Sequence, residues 1–252
     1  TILMNSLVIV IIWRSSPLQT NTNILLASLA VTDLMVGCIA QPLFITREYF
    51  HLNGVPDCNI GMAYSCIQFL AGGASIAHII PITLERYIAI KYPMKSSLWI
   101  TKKRLKIVIM ASWLLAIYIF ALTIVGFKAE LKAGKLVRDI SAFTVMLVTS
   151  IVVTLCYFNI FRISSHHKRC LFVLARTVRS NEDKKRWIRE NKAAKTTAII
   201  IGMFFFSYLL PFAFVVLVNT HPDPNESSLV YALLTLSQTL ALIISPANPV
   251  IY

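Results

Sequence analysis

The stretch TLERYIAIKYP, residues 83–93, sets an acid beside a base, Glu85 and Arg86, at the end of a long apolar run. Charge is expensive at such a place if the run crosses a membrane, so an acid and a base set together there mark a candidate functional position. A second charge, Asp33, lies in the middle of the apolar run 22–46. At the centre of a bilayer a carboxylate costs about 2.5–3.5 kcal/mol on insertion scales. Such residues normally face a protein interior and carry function. Gln68, Gly72, Ser75, Ile79, Ile82 and Arg86 recur at steps of three and four, so one helix face joins a polar amide, a mid-depth hydroxyl and a terminal cation. Near the end of the chain, SPANPVIY places Asn248 before Pro249, a residue that breaks the helical ladder and frees carbonyls for other donors. Catalytic chemistry has no comparable support. There is no HExxH, no Gly-x-Gly-Asp and no nucleophile–base pair at a useful spacing, and His166-His167 falls in a basic stretch that reads as solvated surface. The five cysteines, 38, 58, 66, 156 and 170, show neither zinc spacing nor a disulfide framework.

The elements that would position these residues are apolar helices. The chain has 252 residues, 57% of them hydrophobic and 14% charged, with a mean hydropathy of +0.70. That is too apolar for an ordinary soluble domain. A helix needs about 20 apolar residues to cross a bilayer. Seven runs qualify: 1–13, 22–46, 58–90, 105–127, 139–163, 193–219 and 228–252. Their length and continuity favour helices over the short alternating strands of a barrel. The expected fold is therefore an all-α, seven-helix membrane bundle, read as one domain over 1–252. Pro42, Pro81, Pro211, Pro246 and Pro249 fall inside runs, where kinks are expected. The first run is cut short at its start and the chain stops at Tyr252, which suggests the core of a longer protein.

The formal net charge of +13 could suggest nucleic acid, but its distribution does not. Most of the basic residues lie in the connections 1–2, 3–4 and 5–6, and few lie in the others. By the positive-inside rule those three connections are cytoplasmic, with the N-terminus outside and the C-terminus inside. The charge is a topology signal for a lipid bilayer, and no nucleic-acid partner is expected. The sequon at Asn225 falls on the expected outer side and would be a glycosylation site.

Together these features resemble the rhodopsin-like (class A) G protein-coupled receptors, from Asn5 to Tyr252. Asn5 in MNSLVIV matches the asparagine of the first span, with Met4 in place of the usual glycine. LASLAVTDL with Asp33 matches the second span, and ERY at 85–87 with Pro93 matches the end of the third and its loop. Trp113, Tyr157, Phe205 with Pro211, and NPVIY at 248–252 match the fourth to seventh spans. TLERYIAI and KAAKTTAIIIG look most like the amine-receptor branch. The resemblance implies a transducer at the plasma membrane, not an enzyme. Its partners would be a small extracellular ligand and a heterotrimeric G protein, coupled by an outward shift of the sixth helix. Glu85, Arg86, Tyr87, Pro93, Met94, Tyr157, Asn248, Pro249 and Tyr252 would form the coupling switch. Asp33, Ser75, Ser245 and Asn248 resemble the family's allosteric sodium site, and no other cofactor is implied. The ligand pocket would be lined by Gln68, Phe69, Gly72, Ser141, Met146, Phe212, Val216 and Gln238.

Departures from the family pattern narrow that reading. Gly61 replaces the cysteine at the top of the third span and the 4–5 loop has none, so the usual disulfide cannot form. Leu209 replaces the sixth-span tryptophan, Thr149 the fifth-span proline, and Asn191 an often acidic partner of Arg86. Leu242 stands where opsins carry the retinal lysine, and Gln68 where amine receptors carry an aspartate. Glu48, Asp57 and Asp139 at the outer rim would be poor substitutes for it. A neutral or weakly polar ligand is expected. The alternative is an atypical or constitutively active receptor-like scaffold without a conventional ligand.

Overall fold

The computed structural model describes residues 1–128 and 132–174, residue 202, and 231–246 apart from 234, 237, 241 and 244. The sixth run, 193–219, lies outside the described residues except for Gly202, as do Asn225 and the whole NPVIY motif. Helix α1 is Ile2–Arg14, α2 Asn21–Met35, α3 Gln41–Leu52, α4 Cys58–Lys91, α5 Ser96–Trp99, α6 Lys102–Lys128 and α7 Lys132–Leu174. The described residues within 231–246 are helical too, and no strand occurs among the described residues. Four stretches are long and apolar enough to cross a membrane: Asn21–Leu52, Cys58–Lys91, Lys102–Gly126 and Phe143–Ile163; α1 is a shorter apolar helix.

Local chemistry sets several of these boundaries. Thr20 caps α2 by accepting from the Asn23 amide, and Asp57 caps α4 by accepting from the amides of Asn59 and Ile60. Tyr92 leaves the helical region just before Pro93, which disfavours α geometry in its predecessor. The second membrane helix continues to Leu52, beyond the apolar run 22–46, because the polar residues of its last turns find partners there. Helix α7 likewise extends past 139–163 at both ends. The loop after α4 is not irregular throughout but contains the short helix α5.

Helix α4 is the axis of the bundle and packs on α2, α3, α6 and α7. Small buried residues, Ala71, Ala74, Ala77 and Ala116, let these neighbours approach. The stripe foreseen on α4 is turned inward, with Gly72, Ser75, Ile79 and Ile82 buried. Large apolar side chains such as Met110, Leu114 and Phe161 point outward and are well exposed, as lipid-facing residues must be. Helix α4 has 34 residues. At 1.5 Å per residue it is about 50 Å long, against a hydrocarbon core of about 30 Å, so its ends reach the interfaces.

A π turn, Val36–Ala40, joins α2 to α3. There the Gln41 amide bonds the carbonyl of Val36, five residues back, immediately before Pro42. Gly37 faces the start of α1, where an added Cβ would come within 2.9 Å of the Thr1 side chain. Two other described prolines, Pro81 and Pro246, remove helical donors, and each orphaned carbonyl is caught by a neighbouring helix. Pro81 cannot bond the carbonyl of Ala77, which accepts from Ser112 Oγ of α6 at 3.3 Å. Pro246 cannot bond Leu242, whose carbonyl accepts from Gln41 Nε2 at 3.1 Å. Near it, the Ser245 carbonyl accepts from Asn5 Nδ2 of α1 at 3.1 Å. Buried backbone acceptors require partners, so these proline sites fasten helix to helix.

Candidate functional site

The expected site residues fall at three depths. At the basic end, Arg86 Nε lies 3.7 Å from Glu85 Oε2, with the two side chains 15% and 10% exposed. Tyr87 belongs to the adjoining surface. Its hydroxyl accepts from Lys91 Nζ at 2.6 Å, and the ammonium lies 5.1 Å from the centre of that ring and of the Tyr92 ring. The Pro93 carbonyl accepts from Ser96 Oγ at 3.0 Å at the start of α5. Met94 is 85% exposed. The loop that carries it is fastened at both sides: Asn21 Nδ2 donates to the Ile100 carbonyl at 2.8 Å, and Arg104 donates to that of Trp99 at 3.0 Å. Tyr157 is half-buried on α7. Asn248, Pro249 and Tyr252 lie outside the described residues.

In the middle, Asp33, Ser75 and Ser245 are all buried. Thr32 Oγ1 and Ser75 Oγ lie 2.8 Å apart across the α2–α4 interface. Each hydroxyl also reaches a carbonyl of its own helix, Leu29 for Thr32 and Ala71 for Ser75. With two hydroxyl protons for three contacts, both oxygens keep lone pairs available. The same level holds a group that sequence reasoning passed over. His78 is fully buried, with Nε2 2.8 Å from Ser28 Oγ and Nδ1 2.7 Å from the Ala74 carbonyl. Its ring meets Trp113 edge-on, with centroids 5.8 Å apart. The carbonyl can only accept, so Nδ1 carries a proton, and in the neutral ring Nε2 accepts from Ser28.

At the opposite end a cavity of about 340 Å³ is lined by Arg47, His51, Pro56, Asp57, Cys58, Gly61, Tyr231, Thr235 and Gln238. Of the residues expected to line a pocket, Gln238 does so here. Gln68 lies farther along α4, its Oε1 buried without a hydrogen-bond partner among the described residues. Gly72 and Met146 are buried, Phe69 and Ser141 are half-buried, and Phe212 and Val216 lie outside the described residues. Cys58 is exposed and Cys66 buried, and neither forms a disulfide among the described residues; a Cβ on Gly61 would meet open space. Arg47 and Glu48 pair near the cavity and reach across to Tyr231 and Gln238. Sequence reasoning had placed Glu48 only at the rim.

Two ends joined through a polar centre is the layout of a membrane receptor, and the comparisons agree. The chain belongs to the 7 transmembrane receptor (rhodopsin family), whose family model matches residues 4–252. Members of that family are seven-helix bundles and receptors, not enzymes. Trace amine-associated receptor 13c of Danio rerio is 29% identical, over the whole chain and 77% of that receptor. Trace amine-associated receptor 4 of Mus musculus is 26% identical, over 88% of the chain and 69% of that receptor. Adenosine receptor A2a of Homo sapiens is 26% identical, over the whole chain and 65% of that receptor. The amine-receptor likeness of TLERYIAI and KAAKTTAIIIG is consistent with the first two.

Proposed function

We propose that the chain carries a signal from a small extracellular ligand to a heterotrimeric G protein, by an outward shift of the sixth helix. The observation that carries this reading is the Glu85–Arg86 pair, partly buried at the basic end of the central helix. In this reading Glu85 restrains Arg86 in the resting bundle. Arg86 is released toward Tyr157, Tyr252 and the G protein on activation, and exposed Met94 adds an apolar contact. The basic end faces the cytoplasm and the cavity faces outside. A small ligand enters between α3, α4 and the helix of 231–246. Gln68, with its unpartnered buried oxygen, offers it a neutral acceptor. Asp33, Ser75 and Ser245, with Asn248, would hold a sodium ion, whose charge would offset the buried carboxylate. Family membership supports coupling as a class of function.

The test is Arg86→Ala, assayed for nucleotide exchange across several G proteins with surface expression measured in parallel. Exchange should fall to background while expression persists. Unchanged exchange in a responsive assay would remove Arg86 from the switch. Exchange that is high without ligand and indifferent to every compound in a library would favour the constitutive scaffold instead.

A further inference from the structure

Glu48 is adjacent to Arg47 in sequence, yet its carboxylate gathers donors from a distant helix. Oε1 accepts from Arg47 Nε at 2.9 Å and Nη2 at 2.5 Å. Oε2 accepts from the Tyr231 hydroxyl at 2.9 Å and the Thr235 hydroxyl at 3.4 Å. Arg47 Nη2 also donates to Gln238 Oε1 at 2.6 Å. The guanidinium carbon lies 4.5 Å from the centre of the Tyr64 ring and 5.2 Å from that of Phe44. His51 stacks on Tyr231, with centroids 3.9 Å apart and planes 9° from parallel, which orients the phenol toward Glu48. The pair is mostly withdrawn from solvent, its side chains 22% and 15% exposed.

A carboxylate, two aromatic rings and a neutral carbonyl oxygen around a flat cation make up the chemistry of an organic-cation site. The cation that fills it belongs to the chain itself. The cavity adjoins it, since Arg47, Tyr231, Thr235 and Gln238 line that space. The carboxylate of the cavity wall itself, Asp57, is engaged in capping α4. We propose that Phe44, Glu48, Tyr64, Tyr231 and Gln238 form a binding site for small guanidinium or ammonium compounds, and that Arg47 is its tethered occupant. The proposal rests on the reading that the cavity is where ligands enter. A side chain tethered beside its own site competes at an effective concentration of about millimolar or more. Free cations therefore bind the intact receptor weakly, and they bind well once the guanidinium is removed.

Arg47→Met keeps an apolar stem against Phe44 and Tyr64 and deletes the charge. The purified full-length receptor in detergent should melt about 3 °C lower, from loss of charge-assisted bonds between helices. Millimolar ethylguanidinium should restore most of that loss in a saturable way, while ethylurea, neutral and of the same shape, should not. Adding Glu48→Gln to Arg47→Met should abolish the recovery. If Arg47→Met does not reach the surface, ethylguanidinium in the culture medium should raise its surface level at least threefold and ethylurea should not. Recovery by neither compound, equal recovery by both, or recovery that survives Glu48→Gln would overturn the proposal. None of these readouts uses a G protein, so they fail separately from the Arg86→Ala test.

Discussion

The restraint proposed for Glu85 on Arg86 would have a measurable strength. The pair is separated by 3.7 Å and neither side chain is more than 15% exposed. It therefore lies between a solvated surface pair, worth about 0–1 kcal/mol, and a fully buried one. Taking about 1 kcal/mol, its loss moves a two-state equilibrium about fivefold toward the released form. Glu85→Gln keeps the shape and removes the charge, so nucleotide exchange without ligand should rise about fivefold. Membranes matched for receptor number would show it, and exchange at the wild-type level would mean that Glu85 is not what holds Arg86. His78, by contrast, was not legible in the sequence. A histidine in an apolar run carries no periodic signal, and Ser28 lies 50 positions away. Only folding reveals that it bridges α2 and α4 beneath Trp113.

At the scale of elements, the captured carbonyls explain how a helix bundle tolerates its prolines. The first to fifth membrane runs were legible as helices, because length and apolarity are written locally. Pro42, Pro81 and Pro246 were legible as interruptions of a helix. The long-range partners of the carbonyls were not, since Gln41 and Leu242 are 201 positions apart and Asn5 and Ser245 are 240 apart. The π turn was hidden for a related reason. An extra residue in one turn changes no composition, yet it rotates everything beyond it by about 100° relative to a regular helix. That rotation contributes to aiming Gln41, Arg47 and Glu48 at the helix of 231–246. Gln41 and Pro246 are coupled through the Leu242 carbonyl. Gln41→Leu should destabilise the receptor by about 1–2 kcal/mol, leaving the Leu242 carbonyl without a donor. Pro246→Ala restores a backbone amide that can serve the same carbonyl. In that background Gln41→Leu should cost about half as much or less, a non-additivity expected of two groups that share one partner. Thermal melts of the four proteins would measure it. Additive losses would show that Gln41 acts through something other than this carbonyl.

For the whole molecule, the ends are chemically distinct. Arg14, Lys91, Lys95 and Lys102–Lys106 gather where α1, α4 and α6 have their loop ends, and the bond from Asn21 to Ile100 holds the α1–α2 and α4–α6 connections together. The turn at Gly54, with φ +72°, and the free thiol of Cys58 mark the other end. The charge bias was legible in the sequence, but it is a statistical preference for one side of a membrane. Direct labelling converts it into an orientation. Cys58→Ser should first remove the exposed native thiol from the cavity end. In that background, Gly54→Cys should react with a membrane-impermeant maleimide on intact cells, since a Cβ there meets nothing within 4 Å. The left-handed backbone makes the substitution mildly strained, so Asn53→Cys serves as a second probe in the same exposed turn. Ser97→Cys, on the exposed short helix α5, should react only after permeabilisation. The reverse pattern would place the Glu85–Arg86 pair outside the cell, where no G protein could reach it. Such an outcome would sink the receptor mechanism at its root, because the restraint and the cavity would then face the wrong compartments.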